Sequence, residues 1–341
     1  MNDLAVSNGR LRWWVPLALV LVLAATAAVG LAVGRYPLSL GEVGSALSSR
    51  LGGAVVSPAL DSVVFGLRLP RIALAVIVGA GLACAGAAFQ SIFANPLATP
   101  DTLGVTAGAS VGAVLALVLS LPMLGVQLVA LVFGLLAVGL TMAIARTNGR
   151  SNIVMLILSG VVVAAIATAL LSILKYTADP NDKLPQITYW LMGSLAGANG
   201  QALLIGGPII GVGVAVIAAL RWRLNILALS EDEARASGMN IRRARAVIIV
   251  AATLITASAV SMCGQVGWVG LLIPHCARML CGNNNRLVVP VSIFLGAIFL
   301  VVIDTLSRTI SASEIPISVL TAVVGAPFFV VLLRQTGGKW A

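Results

Sequence analysis

Charged residues make up only 9% of this 341-residue chain and aromatic residues 5%, while hydrophobic residues reach 60%. So little charge cannot cover a soluble surface around that much apolar side chain. With a mean hydropathy of +1.07, the chain reads as a polytopic membrane protein. The shortage of aromatics excludes the girdles of an outer-membrane barrel, whereas 35 glycines suit helices that approach closely through small residues. The expected fold class is all-α.

Catalytic and ligand-binding equipment is equally sparse. The cysteines, Cys84, Cys263, Cys276 and Cys281, lie in or beside apolar stretches without CxxC spacing, which excludes a disulfide framework or zinc site and leaves them as small core residues. His275 is the only histidine, too few for a multi-ligand metal or haem site in one subunit, and its expected role is packing beside Pro274. No paired carboxylates and no nucleophile–base pattern occur, so neither an enzyme nor a cofactor is expected. No GxxxxGK[ST] loop occurs either, so energy for active transport would have to come from another subunit. The expected spans also lack carboxylates: Asp304 falls just past a helix end, and Asp101 and Glu314 fall in loops. This counts against coupling to protons or sodium, which needs ionisable groups inside the bilayer.

What the chain has is apolar runs. They lie at 14–33, 72–89, 103–121, 124–145, 153–174, 202–220, 246–263, 287–303 and 317–333, with a shorter one at 269–280 that by length alone reads as re-entrant. The run at 14–33 has the basic start of a signal peptide, but it is too long and has no clear cleavage site, so it is read as the first transmembrane helix. Arg10 and Arg12 at one end and Arg334 and Lys339 at the other place both termini on the cytoplasmic side. That requires an even number of crossings, so the short run is counted and ten helices are expected. The basic residues sit in loops between spans, as topology signals do, and not as a nucleic-acid footprint.

The stretch at 68–109 organises this reading. Arg68-Leu69-Pro70-Arg71 opens an uncharged run of a length that crosses a ~30 Å hydrocarbon core at ~1.5 Å per residue, and Asn95-Pro96-Leu97-Ala98 follows at its far end. The connection at 35–61 has no motif. The loop at 175–200 predicts a short helix over 184–195, with Tyr189 and Trp190 as interfacial anchors. In the longest inner loop, 221–245, Ser230 and Glu233 have capping-box spacing, Glu231 favours a helix start and Gly238 an end, which predicts a two-turn helix.

These motifs resemble the FecCD-type permease subunits of the ABC importers for ferric siderophores, haem and cobalamin. The likeness rests on Arg68-Leu69-Pro70-Arg71, Asn95-Pro96-Leu97-Ala98, Trp190-Leu191-Met192-Gly193-Ser194, Gly267-Trp268-Val269-Gly270-Leu271 with Pro274-His275 and Arg278, Asp304-Thr305 with Arg308, and Glu314-Ile315-Pro316 with Gly325-Ala326-Pro327-Phe328-Phe329. The resemblance implies a single permease domain over 1–341, with ten helices arranged as an inverted repeat. It places the subunit in a bacterial inner membrane, with a second permease copy or homologue, a cytoplasmic ATPase dimer and a periplasmic or lipid-anchored binding protein. It further implies that Arg68, Arg71 and Arg308 dock the binding protein and that Ser230, Glu231, Glu233, Ala234 and Gly238 belong to a helix coupling to the ATPase. The plainer alternatives are an i,i+4 pair of Arg308 with Asp304, worth ~0.2–0.5 kcal/mol, membrane lipid phosphate as the partner of Arg68 and Arg71, and a solvated connector. As to function, the alternatives are an ion-coupled or passive transporter and a membrane enzyme.

Overall fold

The computed structural model describes residues 5–336, apart from residues 8, 51, 54, 55, 148, 149, 152, 198, 199, 230 and 312. It is a bundle of helices: α1 (Trp14–Ala32), α2 (Leu40–Ser49), α3 (Leu69–Ile92), α4 (Val105–Val118), α5 (Met123–Ile144), α6 (Ile153–Thr177) and α7 (Lys183–Leu191). The chain continues through α8 (Gly200–Leu227), α9 (Glu231–Ala236), α10 (Ile241–Cys263), α11 (Val269–Cys281), α12 (Asn285–Ser307) and α13 (Ile317–Thr336). Among the described residues, seven helical runs are long and apolar enough to cross a membrane, and α4, α11 and the apolar part of α13 are shorter. Each expected span falls on one of these helices.

Burial sorts the helices into an inner and an outer set. In the apolar stretches of α3 and α10, 78% of residues are buried, against 28% in α6 and α8. The outer helices expose Leu136, Val162, Ile166 and Val212, as helices facing lipid do, while the inner ones pack through small residues. A Cβ on Gly79 of α3 would overlap the carbonyl oxygen of Gly296 on α12, and one on Gly296 would overlap that of Gly79. A Cβ on Gly86 would likewise overlap the carbonyl oxygen of Gly270 at the start of α11. Backbones therefore touch directly along α3, the geometry in which dispersion contacts replace the hydrophobic driving force that lipid cannot supply.

Three local expectations need correction. The connection at 35–61 does carry a motif: Ser39 and Glu42 form a complete capping box that starts α2. The Ser39 N–H and hydroxyl hold the Glu42 carboxyl below its ordinary pKa, and α2 buries Val43 and Ala46. The S-x-x-E signal was present in the sequence. The helix predicted over 184–195 ends at Leu191, because Gly193 turns the chain with φ +73°. Trp190 is buried against Ala109, Ala113 and Val260 and is no interfacial anchor, whereas Tyr189 is exposed. Finally, α12 runs to Ser307, so Asp304 lies within its last turn and not beyond it. The ion pairs described below make that position tolerable.

The Gly79–Gly296 contact makes a prediction. Gly79→Ala should lower thermal stability in detergent by about 1–3 kcal/mol through overpacking. Gly139→Ala, whose added Cβ meets nothing within 4 Å, should stay within about 0.5 kcal/mol. Equal effects in the two variants would show that the close crossing does not set the stability of the bundle.

Candidate functional site

At one end of the bundle, charged residues from the start of α3, the end of α12 and the loop at Glu314 meet the end of α1. The last four carbonyls of a helix have no partner within it, and α1 has no basic residue in its last turn. Arginines from elsewhere supply the donors. Arg68 donates to the carbonyls of Leu31, Ala32 (2.9 Å) and Tyr36, and Arg308 to those of Gly30 and Val33 (2.8 Å). A cation at a helix C-terminus also complements its dipole. Gly34 leaves room for both side chains, since a Cβ there would lie 2.7 Å from an Arg68 nitrogen and 3.0 Å from one of Arg308.

Arg71, in the first turn of α3, uses all three guanidinium nitrogens. Its Nε donates to Asp304 at 2.7 Å, and Nη1 and Nη2 donate to the two oxygens of Glu314 at 2.8 and 3.0 Å. Asp304 also faces Arg308 at 3.4 Å, an ion-pair contact without hydrogen-bond alignment. Exposure is 11% for the Arg71 side chain, 1% for Asp304 and 24% for Glu314, so only the Glu314 edge opens outward. The contrast is Arg50–Asp61, at 2.9 Å but 59% and 39% exposed, a pair of the kind worth about 0–1 kcal/mol.

The structure brings Arg68, Arg71 and Arg308, the residues that the resemblance assigns to docking, to one end of the bundle and gives each of them partners inside the chain. The i,i+4 contact of Arg308 with Asp304 is present. The roles of Asp304 and Glu314 as partners of Arg71 were invisible in the sequence, because the pairs span 233 and 243 residues.

The opposite end is joined by amides. Ser91 at the end of α3 donates to Asn285 Oδ1 (2.9 Å), and the Asn285 N–H donates to Asn225 Oδ1 (2.8 Å) at the end of α8. Gln90 donates to the carbonyls of Gly270 (3.2 Å) and Leu271 (3.1 Å) and accepts from Arg278. Buried His275 contacts the Pro96 carbonyl at 3.0 Å, which ties α11 to the loop after α3 and fits the expected packing role. Helix α9 lies at this end. Gly238 closes it with φ +73°, Ala234 is buried and Glu233 exposed, and Ser237 Oγ donates to the Ala234 carbonyl at 2.6 Å. Of the residues expected to couple to an ATPase, Ser230 and the Glu231 side chain lie outside the described residues. A cavity of about 530 Å³ beside Gly238 is lined by Trp222, Arg223 and Arg243.

A bundle of apolar helices of membrane-crossing length whose inner members meet through glycine belongs to the class of polytopic membrane proteins. The chain is a member of the FecCD transport family, which it matches over residues 18–335. It is 38% identical over 317 residues to the molybdate import system permease protein MolB of Haemophilus influenzae, covering 93% of this chain and 94% of that one. It is 38% identical over 280 residues to the cobalamin import permease BtuC of Halobacterium salinarum (82% and 75% covered) and 33% over 337 residues to the hemin transport permease HmuU of Yersinia pestis (96% and 98%). A solved structure described as an inward-facing metal-chelate type ABC transporter superposes with a TM-score of 0.84 at 38% identity, covering 94% of this chain and 98% of that one. The protein is accordingly a permease subunit of an ABC importer.

Removing one member of a buried ion pair costs about 3–5 kcal/mol, because the partner charge is left uncompensated. Arg71→Gln should therefore lower the unfolding midpoint of the detergent-purified chain sharply, and Arg71→Gln/Asp304→Asn should recover part of the loss. Additive effects in the double-mutant cycle would mean that the two residues are not energetically coupled.

Proposed function

We propose that the chain imports a metal chelate, specifically a ferric siderophore, with haem or a cobalamin as chemical relatives of that cargo. The observation that carries this reading is the 38% identity to a metal-chelate type transporter over nearly the full length of both chains. Relatives from Helicobacter pylori and Bacillus subtilis, called iron chelatin and Fe(3+)-citrate permeases and 36% and 33% identical, support it. A second cargo, molybdate, is favoured by the 38% identity to the Haemophilus permease.

In this reading the protein forms one permease domain of ten crossings in a bacterial inner membrane and pairs with a second permease copy or homologue. Both termini and α9 face the cytoplasm, where an ATPase dimer binds α9 through its exposed Glu233 side and the turn at Gly238. The Arg71 end faces outward and receives a substrate-binding protein. Most arginine donors there are engaged inside the chain, so a partner carboxylate reaches the cluster at the Glu314 edge of Arg71. A charge-assisted bond formed there is worth ~1.5–3 kcal/mol.

The cargo test is uptake. Deleting the chain from its host should abolish accumulation of radiolabelled ferric siderophore and leave molybdate uptake intact. An ATPase should co-purify with the tagged chain, and Glu233→Trp should weaken that association. Loss of molybdate uptake alone would transfer the assignment to the second cargo, and loss of neither would sink both.

Docking and orientation share one measurement. A cysteine at Glu314 should react with a membrane-impermeant reagent applied from outside and should cross-link to the binding protein. Protection until the membrane is opened would invert the topology, and labelling without cross-linking would move the docking surface elsewhere.

A further inference from the structure

The α9 end of the bundle holds a second concentration of charge, to which neither the family nor the proposed function assigns a role. Between the end of α5, the start of α6 and the first turns of α10 lies a cavity of about 470 Å³. Arg146, Arg242, Arg243 and Arg245 line it, and Leu156 and Ile249 form part of its apolar wall; among the described residues no acid lines it. Arg146 begins the short antiparallel hairpin Arg146–Thr147 with Arg150–Ser151 that closes the α5–α6 connection.

The local sequence works against this arrangement. The first turn of α10 carries Arg242 and Arg243 and no acid, so cations stand where the helix dipole already presents its positive end. Helix α2 shows the usual solution, an acid in the capping box. Like charges gathered at one helix start raise the energy of the chain alone, and such departures from local consistency mark binding positions. Arg245 is also 8% exposed, so one of the four guanidiniums sits deep in the wall while Arg146, Arg242 and Arg243 reach its mouth. The cavity lies where the apolar lengths of α5 and α6 end, at the depth at which hydrocarbon gives way to headgroups.

We propose that this cavity binds the phosphate of an anionic phospholipid. The exposed guanidinium forks of Arg146, Arg242 and Arg243 grip the phosphate oxygens in charge-assisted hydrogen bonds, and the acyl stem runs against Leu156 and Ile249. The chemistry recognised is a tetrahedral oxyanion, which free phosphate shares. The apolar wall beside the cations selects the lipid.

The test uses the full-length chain in nanodiscs of phosphatidylglycerol and phosphatidylcholine in equal amounts, with retained lipid read by native mass spectrometry. The wild type should keep phosphatidylglycerol over phosphatidylcholine by at least about fivefold, the factor that one arginine supplies near an anionic surface. Arg146→Gln/Arg242→Gln should lose that preference, and Arg146→Lys/Arg242→Lys should keep most of it. Arg221→Gln/Arg286→Gln, whose parent residues line a different cavity, should leave it unchanged. Equal retention of both lipids by the wild type would overturn the proposal without relying on any variant's folding. So would an equal loss in the Arg221/Arg286 variant, which would reduce the effect to diffuse surface charge. Displacement of the lipid by millimolar inorganic phosphate would assign the cavity to a free anion instead.

Discussion

The direct backbone contact between Gly79 of α3 and Gly296 of α12 is the constraint from which both ends of the molecule follow. In a bilayer, helices gain little by hiding apolar surface from lipid, so association depends on close approach and on polar groups that find partners. One crossing point fixes the register of α3 against α12. With that register set, Arg71 meets Asp304 at one end and Ser91 meets Asn285 at the other. A side chain at either glycine would push the helices apart and uncouple both junctions at once.

The two ends use different chemistry for the same task. At the Arg71 end full charges are paired, and the guanidiniums of Arg68 and Arg308 satisfy the free carbonyls of α1. This ties α1, α3, α12 and the Glu314 loop into one unit whose ionic members are buried, so that losing any one of them leaves an uncompensated charge. At the α9 end neutral amides and hydroxyls join α3, α8 and α12, and Arg223, Arg146, Arg242 and Arg243 line cavities there. At the first end each charged group has an ionic or carbonyl partner inside the chain, and Glu314 is its most exposed member. The second presents the exposed arginines Arg146, Arg242 and Arg243, which suits a face that meets other molecules.

The comparison with the sequence follows the same division. Sixty per cent hydrophobic composition and the spacing of apolar runs determined an all-helical membrane bundle, because each run's length is compared with a fixed bilayer thickness and needs no knowledge of its neighbours. The end of α9 at Gly238 was likewise legible, since a glycine at positive φ is a local signal. Capping of α2 was legible too, in Ser39 and Glu42. Only the tertiary structure decided that Arg71 binds Asp304 and Glu314, that Trp190 packs inward, and that Arg146 joins Arg242 and Arg243 around one cavity. Those partners lie far apart along the chain, and one-dimensional periodicity states which face of a helix is apolar without stating which helix will cover it.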